Sequence, residues 1–420
     1  MPTSIPVPTT LRVADSGRRG ASAGAVLRVV LEEGAIARST IARVTGLSPA
    51  SVTGHCGELA RLGLLRELPG SARSNGAGRP HVPVGIDVTR HLAGSVHIAV
   101  RATTVALLDL RGRVVARSQR PHESLEPTAV VERAARDLEA LYAAYGGSAG
   151  LLGVGVATGG WVDPESGVVM DHPRLGWSLV PLRDLLRERL GVPVYVDGHS
   201  RALLHAEVLF GSASRVGSVL HVFVGNVVDA AFATRGEAHY GSRAQAGAIA
   251  HLPVEGSREP CACGRIGCLE AAVSEQTLAR LAYERGVVDA PDISVLFGAA
   301  RAGNAAAVGM FVERSRQVGR AVALLMDVFG PERVMVTDPV LPYVPTALKA
   351  MRAAARENVR TDVDVDSVLS STSFPGEVPE IAGGAVLLDA LYRNPFAFED
   401  RMRAGINSET RNIDRVGCAR

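Results

Sequence analysis

The chain has 420 residues, too many for one ordinary core and enough for two or three domains. Apolar residues make up 47% and aromatics only 4%, so the core must be built from Ala, Val and Leu, and no apolar run reaches the ~18 residues that would span a bilayer. Net charge is only +2, yet residues 1–90 hold eleven Arg against six Asp and Glu while the remainder is slightly acidic, as expected of a nucleic-acid-binding head on a globular body.

Met1 to Pro8 lacks the basic flank and apolar stretch of a signal peptide, so a cytoplasmic protein without a membrane partner is expected. Arg12, Arg18 and Arg19 then form a solvated arm. Ala21 to Glu33 puts Ala25, Val26, Val29, Val30 and Leu31 on one helical stripe, and Gly34 ends it. A second helix, Arg38 to Val44, opens with Ser39 as its cap and stops at Gly46, which suits a tight turn. Ser48 caps a third, with Pro49 in first position and Val52, Cys56, Leu59 and Leu62 as its buried stripe. Three such helices make a helix-turn-helix.

The third helix is the one expected in the major groove, presenting Ser51, Thr53, Gly54 and His55 near its start. With no Arg or Lys among them to clasp a guanine edge, phosphate contacts and groove shape are expected to carry more of the recognition. Leu64 to Leu68 and Val82 to Val84 read as strands flanking the polar loop Pro69 to Pro80, which makes a wing. Its Gly-Arg-Pro tip, with Arg73 and Arg79, is narrow enough for a minor groove, an ordinary solvated hairpin being the alternative. Residues 1–85 are thus read as a winged helix-turn-helix domain on a double-stranded DNA operator. Ser48, Ser51, Thr53, His55, Arg73 and Arg79 are its candidate DNA contacts.

Beyond Val84, strand-like runs recur at Gly94 to Val100, Thr104 to Leu110, Leu151 to Val156, Pro193 to Val196, Ser218 to Val224, Ala230 to Thr234 and Val334 to Thr337. Helical stretches fall between them at Pro127 to Ala144, Leu182 to Leu190, Arg201 to Leu209, Ser274 to Arg285 and Ala305 to Phe329. The alternation predicts α/β architecture with mixed sheets in two lobes around a cleft. Three of the five cysteines lie between Cys261 and Cys268, which argues for a metal site in a reducing compartment and against a disulfide framework.

From Ala21 to about Pro395 the sequence resembles the ROK family of sugar-responsive repressors and sugar kinases. The most specific element is Cys261-Ala-Cys263-Gly-Arg-Ile-Gly-Cys268-Leu-Glu270, preceded by His251 in Ala246-Gly-Ala-Ile-Ala-His251. One His and three Cys are a tetrahedral zinc set with no open position, so one structural zinc per chain is expected in the loop 251–270. Looser matches are Thr158 to Gly167, Leu175-Gly-Trp177, Pro193 to Asp197, Arg201 to Glu207 and the Gly/Ala-rich Pro379 to Leu388. The resemblance implies an actin-like, ribonuclease H-like two-lobed body over 86–395, with 396–420 as a polar tail in which Cys418 has no role.

The sequence departs from the family's kinases. Where they carry an Asp-x-Gly-x-Thr phosphate loop, this chain has Asp87-Val-Thr-Arg90-His91, without the glycine that lets backbone N–H groups reach a phosphate. The second phosphate loop reads Val224-Gly225-Asn226-Val-Val-Asp229. A double glycine is also absent near Val336-Thr-Asp338. Gly198 and His199 stand at the kinases' Asn-Asp pair, and Ala248 replaces a sugar-binding Glu, while His251 and Glu270 remain. No kinase activity is therefore expected, and a plain hexose is a doubtful effector. His199, His251 and Glu270 are the candidate ligand residues, with Trp177 and Asn226 as further lining. The sequence reading is a transcriptional regulator, most simply a repressor, binding a two-fold operator as a homodimer or tetramer and sensing a small molecule. A ligand-independent activator or architectural binder, and a sugar kinase with an accessory head, are the alternatives.

Overall fold

The computed structural model describes residues 15–69 and 82–403, so Arg12, Arg73, Arg79 and Cys418 lie outside it. The described chain forms two compact units: one takes its residues from Met1–Leu92, Ser148–Leu152 and Leu388–Arg420, the other is Ala93–Gly147 with Gly153–Leu387.

The first unit opens with helices α1 (Asp15–Glu33), α2 (Arg38–Thr45) and α3 (Pro49–Arg61). Of the expected stripe of α1, Val26, Val29, Val30 and Leu31 are buried, together with Ala23 and Leu27, while Ala25 is exposed. These side chains close over Ile41 of α2 and Val52, Cys56 and Leu59 of α3. Ser39 is not the cap of α2. Ala37 holds the extended N-cap conformation and offers no side-chain bond, which leaves Ser39 inside the first turn. Gly46 ends α2 in the left-handed conformation, φ 71°. Ser48 then caps α3, its hydroxyl accepting from the Ser51 N–H at 3.1 Å. Strands β1 (Leu65–Glu67) and β2 (Val84–Ile86) pair antiparallel, with Ile36 bridging to Val84 as a third rung. The second wing strand starts two residues later than expected. Pro395–Phe398 forms a 3-10 turn, and Phe398 and Met402 beyond it are buried, so this stretch is not a frayed tail.

The second unit holds two five-stranded mixed sheets. The first contains β3 (His91–Ile98), β4 (Ala102–Leu108) and β5 (Val114–Pro121), followed by α4 (Pro127–Tyr145) and β6 (Gly150–Thr158). A small antiparallel sheet of β7 (Trp161–Asp163), β8 (Val168–His172) and β9 (Trp177–Val180) comes next, then α5 (Leu182–Leu190), β10 (Val194–Gly198) and α6 (His199–Leu209). In the large sheet the order is β10-β6-β3-β4-β5, with β10 parallel to β6 and the β3–β4–β5 meander antiparallel.

The other sheet has the order β13-β12-β11-β14-β15. It is built from β11 (Ser218–Val224), β12 (Val228–Thr234) and β13 (Glu237–Ala238), then from β14 (Arg333–Thr337) and β15 (Leu369–Ser371). Its helices are α7 (Leu269–Val273), α8 (Glu275–Glu284), α9 (Ile293–Arg301), α10 (Ala305–Phe329), α11 (Pro345–Asn358) and α12 (Val365–Val368). The 25-residue α10 lays Phe311, Val318, Val322 and Met326 into a core shared with β11 and β14. The last helix, α13 (Val378–Arg393), carries Gly383 against the backbone of Gly155. Hydrogen-bonded hairpins beside parallel strands in both sheets match the mixed α/β expectation.

Candidate functional site

The first candidate surface is the start of α3. Ser48, Ser51, Thr53 and Gly54 are exposed. Three hydroxyls already bond within the helix: Ser48 and Ser51 lie 2.9 Å apart, and Thr53 Oγ1 donates to the Pro49 carbonyl at 2.8 Å. A hydroxyl has one donor and two acceptor sites, so each keeps capacity for an outside partner. His55 is different. Its ring is half-buried, 6.5 Å from the Phe396 ring, and burial lowers its pKa against the pull of nearby Glu58. It belongs to a packed corner in which the Arg19 guanidinium lies 5.0 Å over Phe396. Arg43 and Arg66, not singled out in the sequence, are exposed in the same unit.

The second is a cysteine-histidine cluster. One ligand atom from each of His251, Cys261, Cys263 and Cys268 falls within 4.8 Å of the others. His251 Nδ1 is 3.6 Å from Cys261 Sγ, and Cys263 Sγ is 3.7 Å from Cys268 Sγ. Metal–ligand bonds of about 2.3 Å to sulfur and 2.0–2.1 Å to nitrogen, held at tetrahedral angles, require edges of about 3.8 Å between thiolates and about 3.6 Å from thiolate to imidazole. The four residues therefore fit a tetrahedral ion. The loop is pinned by bridges Pro253 to Cys268 and Pro260 to Ile266, and Gly267 turns at φ 77° where a Cβ would meet the Ser257 carbonyl at 2.9 Å. Arg265 Nε donates to Cys263 Sγ at 3.4 Å and, with its backbone N–H, holds that thiol down at about 6.

The third is a pair of cavities in the second unit. The larger, about 980 Å³, has Ser200, Arg201, Asp229, Ala248, His251 and Glu270 among its walls. Glu270 accepts from the Val228 N–H at 3.1 Å and lies 3.5 Å from Arg174. Arg201 is buried and committed: its Nε donates to Asp197 at 2.6 Å, and its other nitrogens to the carbonyls of Ala244 and Val162. Ser200 donates to Asp229, whose carboxyl burial raises to about 7 against the pull of Arg201.

The smaller cavity, about 470 Å³, takes His199 and Asn226 but neither His251 nor Glu270. The structure thus divides the three candidate ligand residues between two cavities. His199 opens α6, its Nε2 3.1 Å from His97 Nε2 and its ring 4.0 Å from the Phe223 ring. His172 and His221 are buried nearby, and burial holds His97 and His172 down to about 4 and His221 to about 3. Trp177 is not part of either lining, for its indole is buried and donates to the Leu125 carbonyl at 2.6 Å. Asp87 is occupied within its own turn, accepting from the Thr89 N–H at 2.9 Å and hydroxyl at 2.7 Å. Sequence reasoning gave no role to His97, His172, Glu275 and Asp338, which line the smaller cavity, or to Asp229, which lines the larger; only the three-dimensional fold brings them there.

Comparisons with known proteins place the chain. A protein of Mycobacterium tuberculosis named a transcriptional regulator is 32% identical over 403 residues, 93% of this chain and 89% of that one. The DNA-binding transcriptional repressor Mlc of Escherichia coli is 25% identical over 381 residues, 88% of this chain and 93% of its own. Among solved structures, a ROK family transcriptional regulator described as a homologue of Mlc superposes with a TM-score of 0.77 at 22% identity, covering 92% of this chain and all of that one. The family model described as ROK matches residues 93–380, and the chain belongs to the ROK family.

Proposed function

We propose that the protein is a DNA-binding transcriptional regulator, acting as a repressor. The observation that carries this reading is the three-residue turn between α2 and α3, closed by left-handed Gly46 and the Ser48 cap, which leaves the first turn of α3 exposed. Relatives over nearly the whole length are named transcriptional regulators and repressors. In this reading α3 enters the major groove, where Ser48, Ser51 and Thr53 meet base edges or phosphates, and Arg73 and Arg79 reach the backbone or the minor groove. His55, packed on Phe396, supports the corner behind the helix. Two copies of the chain meet two half-sites of a pseudo-palindrome.

The His251, Cys261, Cys263 and Cys268 set holds one structural zinc, which fixes the loop that forms one wall of the larger cavity. The body is read as a sensor without catalysis; in support, His199 lies in an imidazole pair and Asp87 in a closed turn of its own.

The test is footprinting on DNA upstream of the protein's own gene and its neighbours, repeated with Arg79→Ala and Ser51→Ala. The first substitution is expected to weaken binding broadly and the second to relax one position in each half-site. A protein that protects no region of that DNA overturns the reading.

A further inference from the structure

The smaller cavity is built for something other than a sugar or a phosphate. Its lining includes the His97–His199 pair, with the Phe223 ring tilted against that of His199 at 4.0 Å. In the same lining Phe297 and Tyr343 meet edge to face at 5.2 Å, and Pro339 and Pro342 continue the apolar wall. Along Phe223, Phe297, Pro339 and Pro342 a sugar hydroxyl finds no partner, and a desolvated hydroxyl without one is costly. Aromatic rings set in an apolar lining favour a flat apolar guest.

The polar groups define the guest further. Asp338 Oδ2 is buried with no partner in the described structure, while its Oδ1 is taken by Arg314 and the Val340 N–H, each at 3.1 Å. Glu275, also in the wall, accepts from Asn226 at 2.9 Å. The guanidinium in the lining, Arg101, is clasped by both oxygens of Asp292 at 3.1 and 3.0 Å. An anion would therefore meet two carboxylates and an arginine already engaged. A buried acceptor without a donor calls for an N–H. The volume admits two or three fused rings.

We propose that this cavity binds a neutral, planar aromatic molecule bearing an N–H donor, and that this molecule is the effector. The effector role rests on the regulator reading above; the binding does not.

Indole is the probe, added to the full-length protein and followed by saturation-transfer NMR, with benzoate as the flat anion, glucose as the polyol and N-methylindole as the ring without a donor. Indole is expected to bind, N-methylindole at least about fivefold more weakly, and benzoate and glucose not at all. Ala99→Trp, which fills the cavity from its wall, is expected to abolish the signal, and Phe297→Ala to weaken it about tenfold, each checked by melting for an intact fold. Binding of benzoate or glucose as strong as that of indole overturns the proposal, as does indole binding that both folded variants leave unchanged. Equal affinity for N-methylindole overturns the donor. Operator affinity is then measured with and without indole: a shift supports the effector role, and binding without a shift removes that role while keeping the site. Loss of the regulator reading would show separately, as no footprint even without a probe.

Discussion

Gly155 of β6 and Gly383 of α13 meet backbone to backbone, so that a Cβ on Gly155 would stand 1.9 Å from the Gly383 carbonyl oxygen. No side chain intervenes that might rotate aside, and the helix lies closer to the sheet than any other residue pair would permit. Gly155→Ala is expected to destabilise the protein by about 3 kcal/mol or more, or to prevent folding. Gly54 on α3 has nothing within 4 Å of its missing Cβ. There Gly54→Ala is expected to stabilise by up to ~1 kcal/mol, because alanine suits a helix better. Urea unfolding of the two variants checks both, and a milder effect at Gly155 than at Gly54 would contradict this packing. If Gly54→Ala also weakens operator binding, DNA approaches that backbone closely.

The buried histidines make the fold sensitive to acid. Burial holds the pKa of His97 and His172 at about 4 and that of His221 at about 3, with His199 also well below its ordinary value. Each folded value lies below the unfolded one of about 6.5, so their stabilisation is complete above pH 6.5 and is lost as the pH falls toward 4. Each ring contributes a slope of about 1.4 kcal/mol per pH unit in that window. Unfolding midpoints between pH 7 and 4.5 should fall steeply, and less steeply in His221→Phe. A flat profile would refute the account.

Asp229 works in the opposite sense. Its folded pKa, raised to about 7 by burial, exceeds the unfolded value, so its contribution is full below about pH 4 and is lost as the pH rises through 7. Asp229→Asn keeps an oxygen to accept from Ser200 and has no charge to bury. The variant should gain on the native protein between pH 5 and 8, read as a growing difference in melting temperature.

Removing metal tests the cysteine cluster. After dialysis against a strong chelator, zinc content should fall from one per chain to zero, three further thiols should react with a thiol reagent, and the melting temperature should drop by several degrees. Cys263→Ser should bind metal poorly without chelator. Unchanged thiol reactivity would mean that the four side chains hold no ion.

What could be read in advance depended on how local the physics was. Ser48-Pro49 and Gly46 announce their turn because capping bonds and a left-handed φ are settled within three residues. The strands β11 and β14 were legible as runs of aliphatic side chains. Strand β5 was not, since it alternates half-buried and exposed residues at a sheet edge and carries four polar side chains in a row, Arg117 to Arg120. Helix α11 escaped because its buried stripe is small: Ala347, Met351, Ala354 and Ala355. Phe398 and Met402, four apart, were the overlooked sign that the chain still packs beyond Pro395. The imidazoles at 97, 172, 199 and 221 come from β3, β8, α6 and β11, and no spacing along the chain reveals that they converge.

His97 and His199 touch through their Nε2 atoms, 3.1 Å apart, with no charged group between them. Two neutral rings joined through their Nε2 atoms must share one hydrogen there, so whichever ring donates leaves its own Nδ1 bare while the other carries hydrogen at Nδ1. Moving that hydrogen from one ring to the other, with the matching exchange at Nδ1, swaps the two tautomers without creating charge. The pair therefore carries one bare Nδ1 and one Nδ1–H in either arrangement, and exchanging them costs no charge.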